Sequence, residues 1–291
     1  MNRLKCSTND VRLTGLRRLF CAVLCATAFG SPCLWAAPYF RGSGLVDIPT
    51  GNVIEHGIFS VGTYFAFRSE DKLPRDEAVL QLDFGLFDRI EIGLASVRHH
   101  QASFLLGNLK VLLFREAGTI PNVAVGIENV GDKLESELND LERYARKSLF
   151  LAISKTFNLP RIHHITGHIG IGNNRFTEKI GMGEVLNGVF FGISKDFHPA
   201  FAKGDLSFSV EVDGRGLNAG VRQTANSGLQ VYIGIEALNA PATDEKEVRY
   251  LAGVAWTNQA AMKRTEEAKR LAKRAGVLAN QAKKAAGEGK E

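Results

Sequence analysis

The sequence predicts an all-β fold: a closed antiparallel transmembrane β-barrel of about 12 strands over residues 38–257. Three observations predict it. Apolar residues alternate with polar or small ones, most segments have roughly the 9–11 residues of a tilted membrane-spanning strand, and short connections alternate with long ones. The predicted segments lie near residues 58–67, 78–86, 88–97, 104–115, 121–130, 148–157, 163–173, 186–197, 205–213, 216–224, 228–238 and 248–257.

The alternation gives each segment one apolar face. In the segment 228–238, Leu, Val and Ile occupy every second position, with Gln, Tyr, Gly and Glu between them. A strand with one apolar face requires this period of two. A soluble β-sandwich or barrel is the alternative, but its water-facing side is usually rich in Lys, Glu and Thr.

The second face consists mainly of Gly, Ala, Ser and Asn with scattered charges. Small side chains suit a narrow lumen, in which residues of facing strands must fit together. The charged residues on this face are therefore candidate lumen charges, which must pair or meet trapped water. They are Asp83, Arg89, Glu91, Lys110, Glu128, Glu211, Asp213, Arg222 and Glu236.

The connections predict the orientation. One side has mostly short turns such as 87–88, 116–120 and 225–227, and the other has longer charged loops such as 131–147. Short periplasmic turns and long outer loops are expected of an outer-membrane barrel, and an even strand number places both ends in the periplasm. The acidic cluster Asp132–Glu142 is predicted to be a solvated loop, with a divalent cation bridging it to lipopolysaccharide as the alternative.

Aromatic residues lie at the ends of several predicted strands, as in the interfacial belts of membrane proteins. They are Phe67, Phe87, Phe114, Phe157, Phe197 and Trp256.

Residues 1–37 are predicted to be a signal peptide. Arg17 and Arg18 precede an apolar run over 19–29, and small residues at 36–37 suit cleavage after either position. A single anchoring helix and a lipoprotein signal are the alternatives. All four cysteines lie in the first 33 residues, so the exported chain would have no thiol. This excludes a disulfide scaffold, a Cys-ligated metal site and a Cys nucleophile.

The charge distribution argues against a nucleic-acid partner. Residues 1–37 carry five bases and one acid, and residues 259–291 carry nine bases and four acids. With a total of +5, the part between them has a net charge of −4, so the pI of about 9.0 comes from the two ends. A mean hydropathy of −0.06 and no long apolar run after residue 37 exclude a polytopic helical membrane protein.

Residues 258–291 are predicted to form a basic, Ala/Lys-rich periplasmic helix. Ala261, Ala268, Ala275 and Ala282 recur every seven residues, which predicts a thin apolar stripe of heptad type. Such a helix could contact a periplasmic partner or an anionic surface, self-associate, enter the barrel, or remain solvated.

Catalytic motifs are missing from the sequence: there is no P-loop, GxSxG, HExxH or CxxC. We therefore predict no enzymatic activity, no cofactor and no metal. The alternative is an outer-leaflet lipid-modifying enzyme that uses His164 or His168, which share the predicted lumen face with Thr166.

Two stretches carry a family resemblance. The run Gly44–Thr50, followed by Glu55-His56-Gly57, resembles the opening of YjbH-type outer-membrane barrel proteins, and Gly85–Gly93 and Asp213–Gly220 are similar to later strands of that family. The resemblance covers roughly residues 40–257. It implies the cell outer membrane as the location and a link to exopolysaccharide production or export, and it supplies no catalytic residues.

The expected function is an envelope transport or structural role, in which the barrel supports polysaccharide or small-solute passage. The expected partners are outer-membrane lipid and lipopolysaccharide, the barrel-insertion machinery, and a periplasmic partner of residues 259–291. The last strand, 250–256, looks like the terminal motif that the insertion machinery reads. Whether the lumen is open or plugged stays undecided at this point.

Overall fold

The structure is a computed structural model of the 291-residue chain. It describes residues 42–68, 77–99, 102–131, 147–160, 163–177, 188–199, 203–213, 216–238 and 248–288. The predicted signal peptide and the acidic loop cluster lie outside the described residues.

Twelve β-strands follow one another along the described chain. They are β1 (Phe59–Arg68), β2 (Glu77–Leu86), β3 (Ile90–His99), β4 (Ala102–Phe114), β5 (Asn122–Gly131), β6 (Ser148–Leu159), β7 (His163–Gly172), β8 (Val189–Phe197), β9 (Gly204–Val212), β10 (Leu217–Ala225), β11 (Leu229–Glu236) and β12 (Arg249–Thr257). A short 3-10 helix, Asn174–Thr177, follows β7, and a long helix α1, Gln259–Glu288, follows β12.

The strands form one closed barrel in which every strand pairs antiparallel with its neighbours in sequence. The circle closes where β1 pairs with β12, from Ser60 opposite Thr257 to Arg68 opposite Arg249. Closure satisfies every strand edge, which is the condition for crossing a membrane with strands. The predicted closed antiparallel barrel of 12 strands is therefore confirmed.

The two ends of the barrel differ in their connections. We call the end at which β1 begins and β12 ends the terminal end; its connections are 87–89, 115–121, 160–162, 198–203 and 226–228. The opposite end, the loop end, has longer connections such as 132–147 and 173–188. Two connections at the loop end depart from this pattern: 213–216, which is already short in the sequence prediction, and 100–101, because β3 and β4 run further than the alternation predicted.

The outward side chains of the strands form an exposed apolar surface. Leu80, Leu105, Ile169 and Ile233 are between 50% and 63% exposed, although each lies in the middle of a regular strand. A continuous apolar band on the outside of a closed barrel is the architecture of a transmembrane barrel, since lipid chains cover such a surface and water does not. Barrels of this kind belong to the bacterial outer membrane, which confirms the predicted fold class and location.

Helix α1 is attached to the terminal end through Asn258. The Asn258 side chain accepts a hydrogen bond from the Phe59 amide at 2.9 Å and donates one to the Gly57 carbonyl at 2.9 Å. Arg264 donates to the carbonyl of Asn226 in the β10–β11 turn at 2.8 Å. Beyond Met262 the described side chains of α1, up to residue 282, are exposed. Among the described residues, no helix combines the length and hydropathy that crossing a bilayer requires.

Candidate functional site

The interior of the barrel is occupied by the chain that precedes β1. We call residues 42–57 the plug. Val46 and Ile48 are 0% and 1% exposed, as deeply buried as any residue of the barrel wall. Leu45 N donates to the Ile48 carbonyl at 3.1 Å, which turns the chain at the tip of the plug. At the other end, Gly57 N donates to the Gly85 carbonyl near the terminal end, at 3.0 Å.

The tip of the plug is held by one carboxylate of the wall. Glu211 of β9 accepts hydrogen bonds from the backbone N–H groups of Val46, Asp47 and Ile48, at 3.0, 2.6 and 3.3 Å. Asn218 of β10 donates to the same carboxylate at 3.0 Å. Successive N–H groups that converge on one anion form a nest, and a buried carboxylate needs several such donors to replace its water shell.

Arg175 makes the second attachment of the tip. Its guanidinium donates to the Asp47 carboxylate and to the Asp47 carbonyl, both at 2.9 Å, and also to the carboxylate of Glu128 on β5. The guanidinium carbon also lies 4.0 Å from the centre of the Phe176 ring. Arg175 and both carboxylates are buried. The 3-10 helix thereby joins the plug to the wall through an ion pair shielded from water.

The parts of the plug on either side of its tip, residues 42–44 and 49–57, form a stem that is attached nearer the terminal end. Glu91 accepts from the Ile54 amide at 3.0 Å and from the Ser43 hydroxyl, and it pairs with Lys110 at 3.2 Å. Asp83 accepts from the Gly42 amide at 3.2 Å. Asp83 on β2 and Glu91 on β3 therefore bind both parts of the stem, the one that leads to the tip and the one that returns from it.

Apolar packing completes the contact between the plug and the wall. Val46 lies in one buried cluster with Tyr64, Leu106 and Tyr232, and Leu45 and Ile48 lie in another. The second cluster also contains Phe150, Ala152, Phe176 and Phe190.

Two glycines of the wall make room for the plug. A Cβ on Gly192 would lie 2.9 Å from Leu45 and 3.0 Å from Ile48, and a Cβ on Gly85 would lie 2.2 Å from the Glu55 carbonyl oxygen. The small inward residues predicted a narrow lumen. At these two positions, they leave the space that the plug occupies.

The structure places the nine candidate lumen charges in three groups. Arg222 is half-buried and lines a cavity beside the plug. Arg89 is exposed in the β2–β3 turn and donates to the Leu112 and Leu113 carbonyls, both at 3.4 Å, because β3 begins at Ile90 and the alternation does not reach it. The other seven are buried inside the barrel: Asp83, Glu91, Lys110, Glu128, Glu211, Asp213 and Glu236.

Two functional residues, Arg175 and Arg249, were missed by reasoning from the sequence. Arg175 lies in a loop region without a strand pattern, and Arg249 lies at the first residue of β12. Arg249 pairs with Glu236 at 2.7 Å. The sequence signal that could have found them is the excess of inward acids over inward bases, which requires further cations in the lumen.

Three carboxylates, one on the tip of the plug and two on the wall beside it, could hold a cation. One oxygen of each of Asp47, Asp213 and Glu236 lies within 4.8 Å of the others, and all three residues are buried. Arg175 on Asp47 and Arg249 on Glu236 already supply positive charge there. The cluster is therefore explained as part of the ion-pair network.

The two candidate histidines occupy different environments. His168 is buried, with Nδ1 2.7 Å from the Ser154 hydroxyl and Nε2 2.9 Å from the Ser194 hydroxyl. Ser154 also accepts from the Gly51 amide of the plug at 2.8 Å. His164 is exposed near the terminal end. A buried imidazole between two serines and the plug is the arrangement of a structural hydrogen-bond bridge.

A polar cleft remains between the plug and one side of the wall. A cavity of about 100 Å³ adjoins His168, Ser194, Ser209 and Arg222. A larger one of about 480 Å³ continues toward the terminal end, where Lys263 of α1 lies at its border. Both are lined by Ser43, Asn52, Asp196, Ser207 and Arg222. The cleft thus follows β7–β10 alongside the plug.

Comparisons with known proteins add a structural context. No family model matches the chain, and no curated protein matches it. Accordingly, the YjbH-type resemblance stays a prediction. The KdgM porin, also solved in complex with disordered oligogalacturonate, is similar in structure, with a TM-score of 0.43, 7% identity and coverage of 68% of this chain and 98% of the porin.

Two further solved structures are similar. The NanC porin has a TM-score of 0.41 at 9% identity and covers 67% of this chain and 98% of its own. An outer membrane channel from Pseudomonas putida F1 has a TM-score of 0.38 at 13% identity and covers 73% of this chain and 99% of its own. These scores and identities are too low for a function to be inferred from the neighbours.

Proposed function

We propose that this chain is an outer-membrane barrel that supports the passage of polysaccharide or small solutes, and that the plug closes its lumen. One observation carries the proposal: a polar, charged lumen lies inside an apolar outer wall, and it is filled by a segment attached mainly through wall side chains. A purely structural barrel of this size could fill its interior with apolar side chains, whereas buried charges require compensation. The charged wall therefore supports a lumen that water and solutes enter when the plug leaves.

The plug can leave without opening the barrel. Glu211, Asp83 and Glu91 bind the backbone of the plug through side chains, while the strand ladders are continuous around the circle. Its attachment to β1 at Gly57 lies at the terminal end, so movement toward that end preserves the connection. The short turns at this end support a periplasmic orientation.

Single-channel recording in planar bilayers tests the proposal. We expect few conductance steps from the intact chain, and frequent steps from a variant that lacks residues 42–54 and from Glu211→Gln, which weakens the nest. Glu266→Gln, an equivalent change on the exposed face of α1, is the matched control and keeps the behaviour of the intact chain. If the variant without the plug is silent, the barrel does not support passage.

A structural role through α1 is the second candidate. The helix is fixed through Asn258 and its first two turns, and its described side chains from residue 265 to residue 282 are exposed, which supports contact with a periplasmic partner. Deletion of residues 259–291 distinguishes the two roles: a transport barrel without residues 42–54 keeps its conductance after the deletion, and a tethering barrel loses an envelope phenotype while its folding is unchanged. Folding is followed by the heat-modifiable migration of the barrel on unboiled gels.

The remaining roles follow from the surfaces of the barrel. The exposed apolar band supports contact with outer-membrane lipid and lipopolysaccharide, and β12 with Tyr250 and Trp256 supports recognition by the barrel-insertion machinery. The link to exopolysaccharide follows from the YjbH-type resemblance. An outer-leaflet enzyme has little support, since His168 lies inside the barrel under the plug.

A further inference from the structure

We infer that the lumen, once the plug is displaced, selects cationic and neutral solutes over anionic ones. This inference rests on the proposed passage function and names the class of solute that the passage would take. It begins from the formal charges of the described side chains that face the interior of the barrel.

Among the described side chains of the interior wall, carboxylates outnumber cations by two to one. Eight described acids face the interior, whereas four described bases do so. The acids are Asp83, Glu91, Glu128, Asp196, Asp205, Glu211, Asp213 and Glu236, and the bases are Lys110, Arg175, Arg222 and Arg249. The described wall therefore has a formal charge of −4.

The plug does not neutralise this excess. Residues 42–57 contribute the carboxylates of Asp47 and Glu55 and no Lys or Arg. The plug binds wall carboxylates through backbone N–H groups, which are dipoles and not full charges. Its displacement would leave the wall charge unchanged and would replace the backbone donors by water and mobile cations.

The distribution of the acids along the barrel strengthens the effect. Glu211, Asp213 and Glu236 lie toward the loop end. Asp83 and Glu91 lie nearer the terminal end on the opposite side of the wall, and Asp196 and Asp205 line the cleft toward the terminal end. A solute that crosses the lumen therefore meets carboxylates along its whole path. In a low-dielectric wall, charges of one sign concentrate the opposite ion and reject the like one, as acidic rings do in cation channels.

The first experiment measures ion selectivity. The variant without residues 42–54 is studied in planar bilayers with a gradient of KCl across the membrane. We expect a reversal potential shifted toward the equilibrium potential of potassium. The ratio of potassium to chloride permeability should fall several-fold in Asp196→Asn/Asp205→Asn. Glu116→Gln, which removes a carboxylate outside the lumen, is the matched control and keeps the ratio. A reversal potential on the chloride side would overturn the inference.

The second experiment does not depend on conduction. In the full chain with its four cysteines replaced by serine, Ser209→Cys places a thiol beside the cleft. A cationic methanethiosulfonate reagent should modify it several-fold faster than an anionic reagent of similar size. High salt and Asp196→Asn should both reduce the difference.

The two readouts separate the two hypotheses. Silent bilayers together with faster cationic modification would refute passage and keep the charge selectivity of the lumen. Conducting bilayers together with a preference for chloride, or equal modification rates, would keep passage and refute the inference.

Discussion

The plug and helix α1 flank the same barrel and are held in opposite ways. The plug has no regular secondary structure in its described part, and the wall supplies partners for its backbone amides: Glu211 at the tip, Ser154 in the middle and Glu91 on the stem. Helix α1 satisfies its amides within its own turns, and its described contacts with the rim are made by Asn258 and by residues of its first two turns, such as Arg264. A segment therefore satisfies its backbone amides either within a regular helix or through partners on a complementary surface.

The difference has an energetic consequence. Changes at the surface between plug and wall leave buried polar groups without partners, which is costly, while changes on α1 meet water. The contrast therefore predicts a large effect at Arg175, opposite effects at Gly85 and Gly276, and a small effect at Glu116.

The largest effect is expected from Arg175→Met. The substitution keeps an apolar stem but leaves the carboxylates of Asp47 and Glu128 buried without their shared cation, which costs about 3 kcal/mol of unfolding free energy. Urea unfolding of the barrel refolded in detergent measures the loss. Lys269→Met on α1 breaks the exposed pair with Glu266 and should change stability by at most about 0.5 kcal/mol. Equal effects of the two changes would contradict the contrast.

Matched glycine substitutions should have opposite signs. Gly85→Ala places a methyl group against the backbone of Ile54 and Glu55. The resulting displacement of the plug should lower the free energy of unfolding by about 1–3 kcal/mol. Gly276→Ala in α1 has no neighbour within 4 Å and should stabilise the helix by about 0.5–1 kcal/mol. Thermal unfolding monitored by circular dichroism measures both effects: the β-sheet signal follows the barrel in Gly85→Ala, and the helix signal follows α1 in Gly276→Ala. A stabilising Gly85→Ala would show that the plug does not occupy this position.

The smallest effect is a pH dependence at the terminal end. Partial burial raises the pKa of Glu116, but hydrogen bonds from Lys155 and Thr156 and the charge of Lys155 outweigh it, so the pKa lies below its usual value of 4.5. The folded state thus gains stability above this value and loses it as the pH falls through the lowered pKa.

The test compares Glu116→Gln with the unsubstituted chain. Unfolding midpoints between pH 7 and pH 3 should differ slightly at neutral pH, because the pair is only partly buried and water screens it, and should converge in acid. A difference that grows on acidification would contradict the assignment.

The wall of the barrel was predictable from the sequence, and the plug was not. The period-two alternation placed all twelve strands to within about three residues, because each outward residue meets lipid whatever its neighbours are. The run Gly44–Thr50 was noticed only as a resemblance. Its apolar residues have no period, and their partners Glu211 and Arg175 are more than a hundred residues away in sequence. Such a pairing depends on barrel closure, which local patterns do not encode.

The candidate charges show the same limit. The alternation identified Glu211 and Glu128 as inward residues, but it could not say that one would bind backbone amides and the other an arginine. Arg89 lies in the turn because two left-handed residues, Phe87 and Asp88, separate the strands, and β3 begins at Ile90, two positions later than the predicted segment 88–97.

The nest around Glu211 has a consequence for sequence drift. Because the three amides that it binds belong to the main chain, buried residues 46 and 48 can be exchanged for other apolar residues of similar size without losing these bonds, provided that proline is avoided. The single carboxylate on the wall has no such freedom. Among related chains, exchanges between apolar residues at positions 46 and 48 should therefore be more frequent than substitutions of Glu211.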